Sequence, residues 1–168
     1  IPNCFDKVLD IDDCFLQAEP SNSIRKAVKQ FCIENGYSFH NCREHAGLMR
    51  NIIIRTASTG EVMVIVVFNE NDQERIVALM EMLKEQFKQI TSLFYVVNTK
   101  WNDSIGDLEH VCYYGKDHII EQMEGLQFKV GPKSFYQTNS EQAYELYKVT
   151  RDFAELQPSA VLYDLYTG

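Results

Sequence analysis

Gly47–Phe68 reads GLMRNIIIRTASTGEVMVIVVF. Two β-branched runs, Ile52–Ile54 and Val62–Phe68, flank Ala57-Ser58-Thr59-Gly60, whose glycine suits a tight turn. The stretch therefore predicts a β-hairpin. Its second run has almost no polar position, as expected of a central strand covered on both faces.

Downstream of the hairpin, Asn71 or Asp72 is placed to cap a helix carrying Ile76, Leu79, Met80, Leu83 and Phe87 on one face. A strand follows at SLFYVVN, and after a polar stretch around Trp101 come short segments at HVCYYG, HIIEQM and LQFKVG, patterned like a meander. Upstream, KVLDIDDC reads as a short strand with Val8, Leu9 and Ile11. Ser21 or Ser23 is then placed to cap a helix with Ile24, Ala27, Val28, Phe31 and Cys32 at helical spacing, ended by Asn35-Gly36. Single helices between hairpins predict an α+β sandwich of the split βαβ kind with added short antiparallel strands.

The register changes at VGPKSFYQTNSEQ. Pro132 breaks the meander, and Thr138, Asn139 and Ser140 are all caps by type, with Thr138 and Glu141 spaced as a capping box. Ala143, Leu146, Tyr147, Thr150 and Ala154 would form the inner face of the next helix, and Val161–Tyr163 a buried strand. The expected division is a central α+β domain over 1–131 and, over 132–168, the truncated start of an α/β domain. Ile1 at one end and a strand-and-glycine turn at the other read as a piece of a longer protein.

Composition narrows the function. With 45% apolar and 24% charged residues the chain is globular, and its net charge of -8 argues against a general nucleic-acid binder. No apolar run approaches the ~20 residues of a membrane span, so no membrane partner is expected. Five cysteines, none spaced as C-x-x-C, suggest free thiols in a reducing cytoplasm rather than disulfides. His40, His45, His110 and His118 lack ligand-like spacing and are expected at the surface or in turns.

GPKSFYQTNSEQAYELY, followed at this distance by VLYDLYTG, resembles the RNA uracil-5-methyltransferases. Matching residues are Ser134, Phe135, Gln137, Asn139, Ala143, Leu146, Tyr147, Asp164, Leu165, Tyr166 and Gly168; Thr167 departs, standing where the family usually has cysteine. The hairpin also looks like the family's central domain. The resemblance implies transfer of a methyl group from S-adenosylmethionine to C5 of a uracil in 23S ribosomal RNA, with transfer RNA as the alternative substrate. It implies Gln137 and Tyr166 as donor contacts, Phe135 as a stacking partner of the target base, and Asp164 as an organiser of the donor loop. Helix capping, sheet-edge packing and interdomain packing are the structural alternatives for Gln137, Tyr166 and Phe135 respectively.

The cysteine nucleophile and carboxylate base of such chemistry would lie beyond Gly168, leaving this chain inactive by itself. Cys14 sits in the context of the fourth ligand of a [4Fe–4S] cluster whose other ligands would precede Ile1; the alternative is an unligated thiol. That context favours ribosomal RNA as substrate, and the protein is expected to be a monomer. A non-catalytic acidic interaction module is the rival reading.

Overall fold

A computed structural model describes residues 9–163 and 165. Its elements are α1 (Ser21–Glu34), β1 (Met49–Thr56), β2 (Val62–Phe68), α2 (Gln73–Gln86), β3 (Ile90–Val97), β4 (Val111–Gly115), β5 (Ile119–Met123), β6 (Leu126–Val130) and α3 (Ser140–Ala154). The chain is mixed α+β, as its pattern predicts.

The quoted hairpin forms as expected. β1 and β2 pair antiparallel, with Ile53 opposite Ile65, and the turn between them uses Gly60 at φ 83°. All seven residues of β2 are buried. Strand alternation divides them between two cores. Val62, Val64, Val66 and Phe68 meet Ile24, Val28 and Cys32 of α1 and Ile76, Leu79, Met80 and Leu83 of α2. Met63, Ile65 and Val67 face the other way, with Phe94 and Val96, onto Ile119 and Val130 of the β5–β6 hairpin. Helices thus cover one face of the sheet and a hairpin covers the other.

Sheet order is β1-β2-β3-β4. β2 and β3 are adjacent and parallel, joined by α2. That is a direct βαβ crossover, whereas a split unit would hold another strand between the two. The expected meander also divides. β4 extends the main sheet at β3, while β5 and β6 form a separate hairpin turned by Glu124 and Gly125, both at positive φ.

Other local expectations need correction. The described part of KVLDIDDC has no strand, and Leu9 and Ile11 are exposed. Its aspartates lie along α1 instead, Asp10 pairing with Lys29 and Asp13 with Lys26. Neither Ser21 nor Ser23 caps α1: Pro20 holds the N-cap position, and Glu19 Oε2 accepts from the Ser23 N–H at 3.2 Å. Asp72 does cap α2, accepting from the Arg75 N–H. Asn139, not a Thr138–Glu141 box, caps α3 by accepting from the Gln142 N–H.

The expected inner face of α3 buries Ala143 but leaves Leu146 and Tyr147 exposed. Val161–Tyr163 is neither strand nor buried, since no strand among the described residues pairs with it. His40 and His110 are half-buried, each with a buried ring nitrogen that lacks a hydrogen-bond partner. Among the described residues no helix is long and apolar enough to cross a membrane.

Candidate functional site

The linker from Gly131 to Asn139 joins β6 to α3, and its Ser134–Asn139 stretch lines a cleft of about 840 Å³. Its opposite wall is the end of β1 and the following turn, Ile54–Ser58, with Glu121 of β5; Leu16–Ala18 and Ser21 close the rim. Two charged residues fix the linker at its ends.

Arg55, near the end of β1, donates through Nη1 to the carbonyls of Gly131 at 3.1 Å and Ser134 at 2.8 Å. Those carbonyls belong to a tight turn closed by Ser134, whose N–H donates to Gly131 O while its hydroxyl accepts from the Gly131 N–H. Burial pulls the Arg55 pKa below its ordinary value, but guanidinium stays charged at any ordinary pH.

At the other end stands Glu121, 3% exposed. One carboxylate oxygen accepts from the Ser58 hydroxyl, the Ser58 N–H at 3.0 Å and the Gln122 N–H at 3.0 Å. The other accepts from the Ser140 hydroxyl, also at 3.0 Å, tying β5 to the first turn of α3. Burial pushes the Glu121 carboxyl up, but donors on Ser58, Gln122 and Ser140 outweigh it and hold the group below the usual range. Arg151 adds a bidentate pair to Glu124 in the β5–β6 turn.

Between these anchors the linker alternates. Tyr136 turns inward against the core shared with the hairpin, its ring 5.9 Å from that of Phe128 and its hydroxyl buried without a partner. Phe135 is 85% exposed and Gln137 is exposed; the Gln137 amide makes no hydrogen bond among the described residues. The structure therefore brings Phe135 and Gln137 together on one wall of the cleft. An unpartnered amide, an open aromatic face and a buried hydroxyl with spare capacity fit one wall of a site for a polar, ring-bearing ligand.

Tyr166 and Asp164 lie outside the described residues. Cys14 is not among the residues lining the cleft. Its N–H donates to Asn22 Oδ1 at 3.0 Å and its carbonyl accepts from Asn22 Nδ2 at 3.1 Å, docking it on α1. Among the described residues no group of three or more His, Cys, Asp or Glu side chains is placed to hold a metal ion, so these residues alone do not fit an iron–sulfur cluster. Burial raises the Cys32 thiol to about 11 and also raises Cys112, the reverse of what a nucleophile needs.

Sequence reasoning missed Arg55, Glu121 and Tyr136. A polar residue inside an apolar strand was the available signal for the first two.

No protein-family model matches the sequence. An RNA methyltransferase of Bacteroides thetaiotaomicron is 54% identical over the whole chain, which covers 38% of that protein. One from Porphyromonas gingivalis is 53% identical, again over the whole chain and 37% of the relative. Among solved structures, the Pyrococcus abyssi tRNA (uracil-54, C5)-methyltransferase in complex with S-adenosyl-L-homocysteine superposes with a TM-score of 0.71 at 29% identity, covering 88% of this chain and 36% of that one. The chain thus spans little more than a third of each relative, and over that stretch these matches support its place in the RNA uracil-5-methyltransferase family.

Proposed function

We propose that the protein carrying this chain transfers a methyl group from S-adenosylmethionine to C5 of a uracil in 23S ribosomal RNA. The observation that carries the reading is the pinned linker. Arg55 and Glu121 fix its two ends, so Phe135 and Gln137 are presented to the cleft without closing on partners of their own. When bound, the donor supplies an electrophilic methyl group. The Gln137 amide holds the donor or the target base by hydrogen bonds, and the open Phe135 face stacks on the base turned out of its RNA strand. Tyr166 completes the donor contacts in this reading, and the reacting thiol and base come from outside this chain. By itself the chain orients ligands and does not catalyse.

In the whole protein, Gln137→Ala is expected to lower kcat/KM by roughly ten- to a hundred-fold, since one polar contact, once a bound ligand covers it, is worth about 1–3 kcal/mol. Capping by Asn139 is untouched, so thermal unfolding should not change. Single-turnover methylation and melting on the same preparation separate the roles. An unchanged rate with a lowered melting temperature would make Gln137 structural.

A second substrate, transfer RNA, is favoured by one observation: the superposing Pyrococcus abyssi enzyme is a tRNA methyltransferase. Methyl transfer to unmodified tRNA but not to 23S transcripts would decide for it.

A further inference from the structure

At the opposite end of the sheet from the cleft stands an aromatic ring that the reading above does not use. Arg50 and Arg55 share β1, and five residues of strand put them about 17 Å apart. Arg55 holds the cleft linker; Arg50 holds the loop after β3. The Arg50 side chain is 3% exposed and makes five hydrogen bonds: to the carbonyls of Asn98, Lys100 and Asn102, and twice to Asp103 Oδ1. Buried Asn98 adds two more, donating to Asn102 O and accepting from the Lys100 N–H. What this framework presents is Trp101, 78% exposed.

One face of the indole is already covered. His45 stacks on it with centroids 4.1 Å apart and an interplanar angle of 13°, and His40 meets His45 edge-on at 5.3 Å. His45 accepts a left-handed backbone, φ 51°, to stand there, and its Nε2 lies 3.1 Å from Thr99 O. Gly47 lets its loop close on the chain before it, since a Cβ there would sit 2.3 Å from Phe39 O. Strain of this kind collects where a side chain must be aimed. The other indole face is open, and its chain neighbours Thr99, Asn102, Asp103 and Ser104 are exposed and polar.

We infer that the outer face of Trp101 is a stacking platform for an unpaired RNA base, held ready by His45 and Arg50. A lone, rigid ring with a polar surround suits a planar ligand, which needs one π-face; the core of a protein interface needs a contiguous apolar patch. Lys100 is already paired with Asp107, and the chain carries -8 overall, so the contact depends on stacking and not on phosphate neutralisation. The inference rests on the RNA reading of the family and adds a second point of contact, remote from the reacting base.

Trp101 is the chain's single tryptophan, so its emission reports this site alone. Titrating the chain with single-stranded oligouridylate should quench that emission saturably, while a fully paired RNA duplex should not. His45→Ala should weaken the quenching several-fold. Trp101→Ala, followed by the line-broadening of the uracil H5 and H6 protons on binding, should weaken binding roughly ten- to a hundred-fold, with Trp101→Phe in between. Unchanged emission at millimolar oligonucleotide overturns the inference, as does equal quenching by duplex. So does a change of emission with protein concentration alone, which would make a second copy the occupant. Methyl transfer by the whole protein is scored separately. Transfer without quenching overturns the platform and leaves the methylation reading; quenching without transfer to any RNA does the reverse.

Discussion

Glu121→Ala tests whether one buried carboxylate holds the cleft together. The substitution removes the acceptor for four donors: the Ser58 hydroxyl and N–H, the Gln122 N–H and the Ser140 hydroxyl. Hydroxyls can turn elsewhere, and Gln122 O stands 3.3 Å from Ser58 Oγ. Two N–H groups cannot. Each orphaned donor costs about 1–3 kcal/mol, and the lower end applies because Ser58 and Ser140 line an open cleft that water reaches. Allowing for the relief of desolvating a charge, the net loss is about 2–3 kcal/mol, or about 5–10 °C in Tm for a chain of this size.

The sign of its pH dependence follows from the lowered carboxyl pKa. Stability from Glu121 is fully present above the ordinary glutamate value of 4.5 and fades as pH falls through the folded-state value. Differential scanning calorimetry of both chains at pH 7 and near pH 3 should show the gap narrowing in acid. Glu121→Gln, which keeps one acceptor oxygen, should lose about half as much. Equal Tm at pH 7, or a gap as wide in acid as at neutrality, would refute the reasoning.

Arg55→Ala should free the Gly131–Ser134 turn, costing about 1–3 kcal/mol and raising amide exchange across 131–139 while β2 and β3 stay protected. Arg55→Lys, with a point charge in place of the planar fork, should recover only part of it. Alkylation of the native chain at pH 8 should modify exposed Cys42 readily, exposed Cys112 more slowly because its thiol pKa is raised, and buried Cys32 only after unfolding. Native labelling of Cys32 at the Cys42 rate, read by mass spectrometry, would contradict the core described here.

The hairpin and the α2 stripe were legible because period and turn chemistry agree there: Gly60 supplies the turn, and all four inward residues of α2 are buried. The adjacency of β2 and β3 was not. Period shows that a strand is covered, and not which neighbour covers it. KVLDIDDC misled for a related reason: a short run with Val8, Leu9 and Ile11 reads as strand, but the Asp10 and Asp13 carboxylates paired with Lys29 and Lys26, and the Asp12 carbonyl accepting from Arg25, dock the segment on α1 instead. At the site, Phe135 and Gln137 were legible from a motif, whereas Arg55 and Glu121 act on groups 76 and 63 residues away along the chain. Spacing in one dimension carries no trace of such contacts.

β2 has a further consequence, which concerns the chain before it folds. Val62–Phe68 is seven apolar residues with no charge and no proline, the composition of a self-pairing, fibril-forming segment. In the native sheet both its faces and both its edges are covered; in the unfolded chain only its flanks protect it. Glu61 on one side and Glu70 and Asp72 on the other are then gatekeepers, repelling like segments of other molecules. Once the sheet forms, Glu61 is re-employed, binding Lys116 and the Ile120 N–H beside β5. One carboxylate thus guards solubility before folding and joins two layers after it, so refolding yield should fall with protein concentration, and should fall sooner when Glu61 is neutralised.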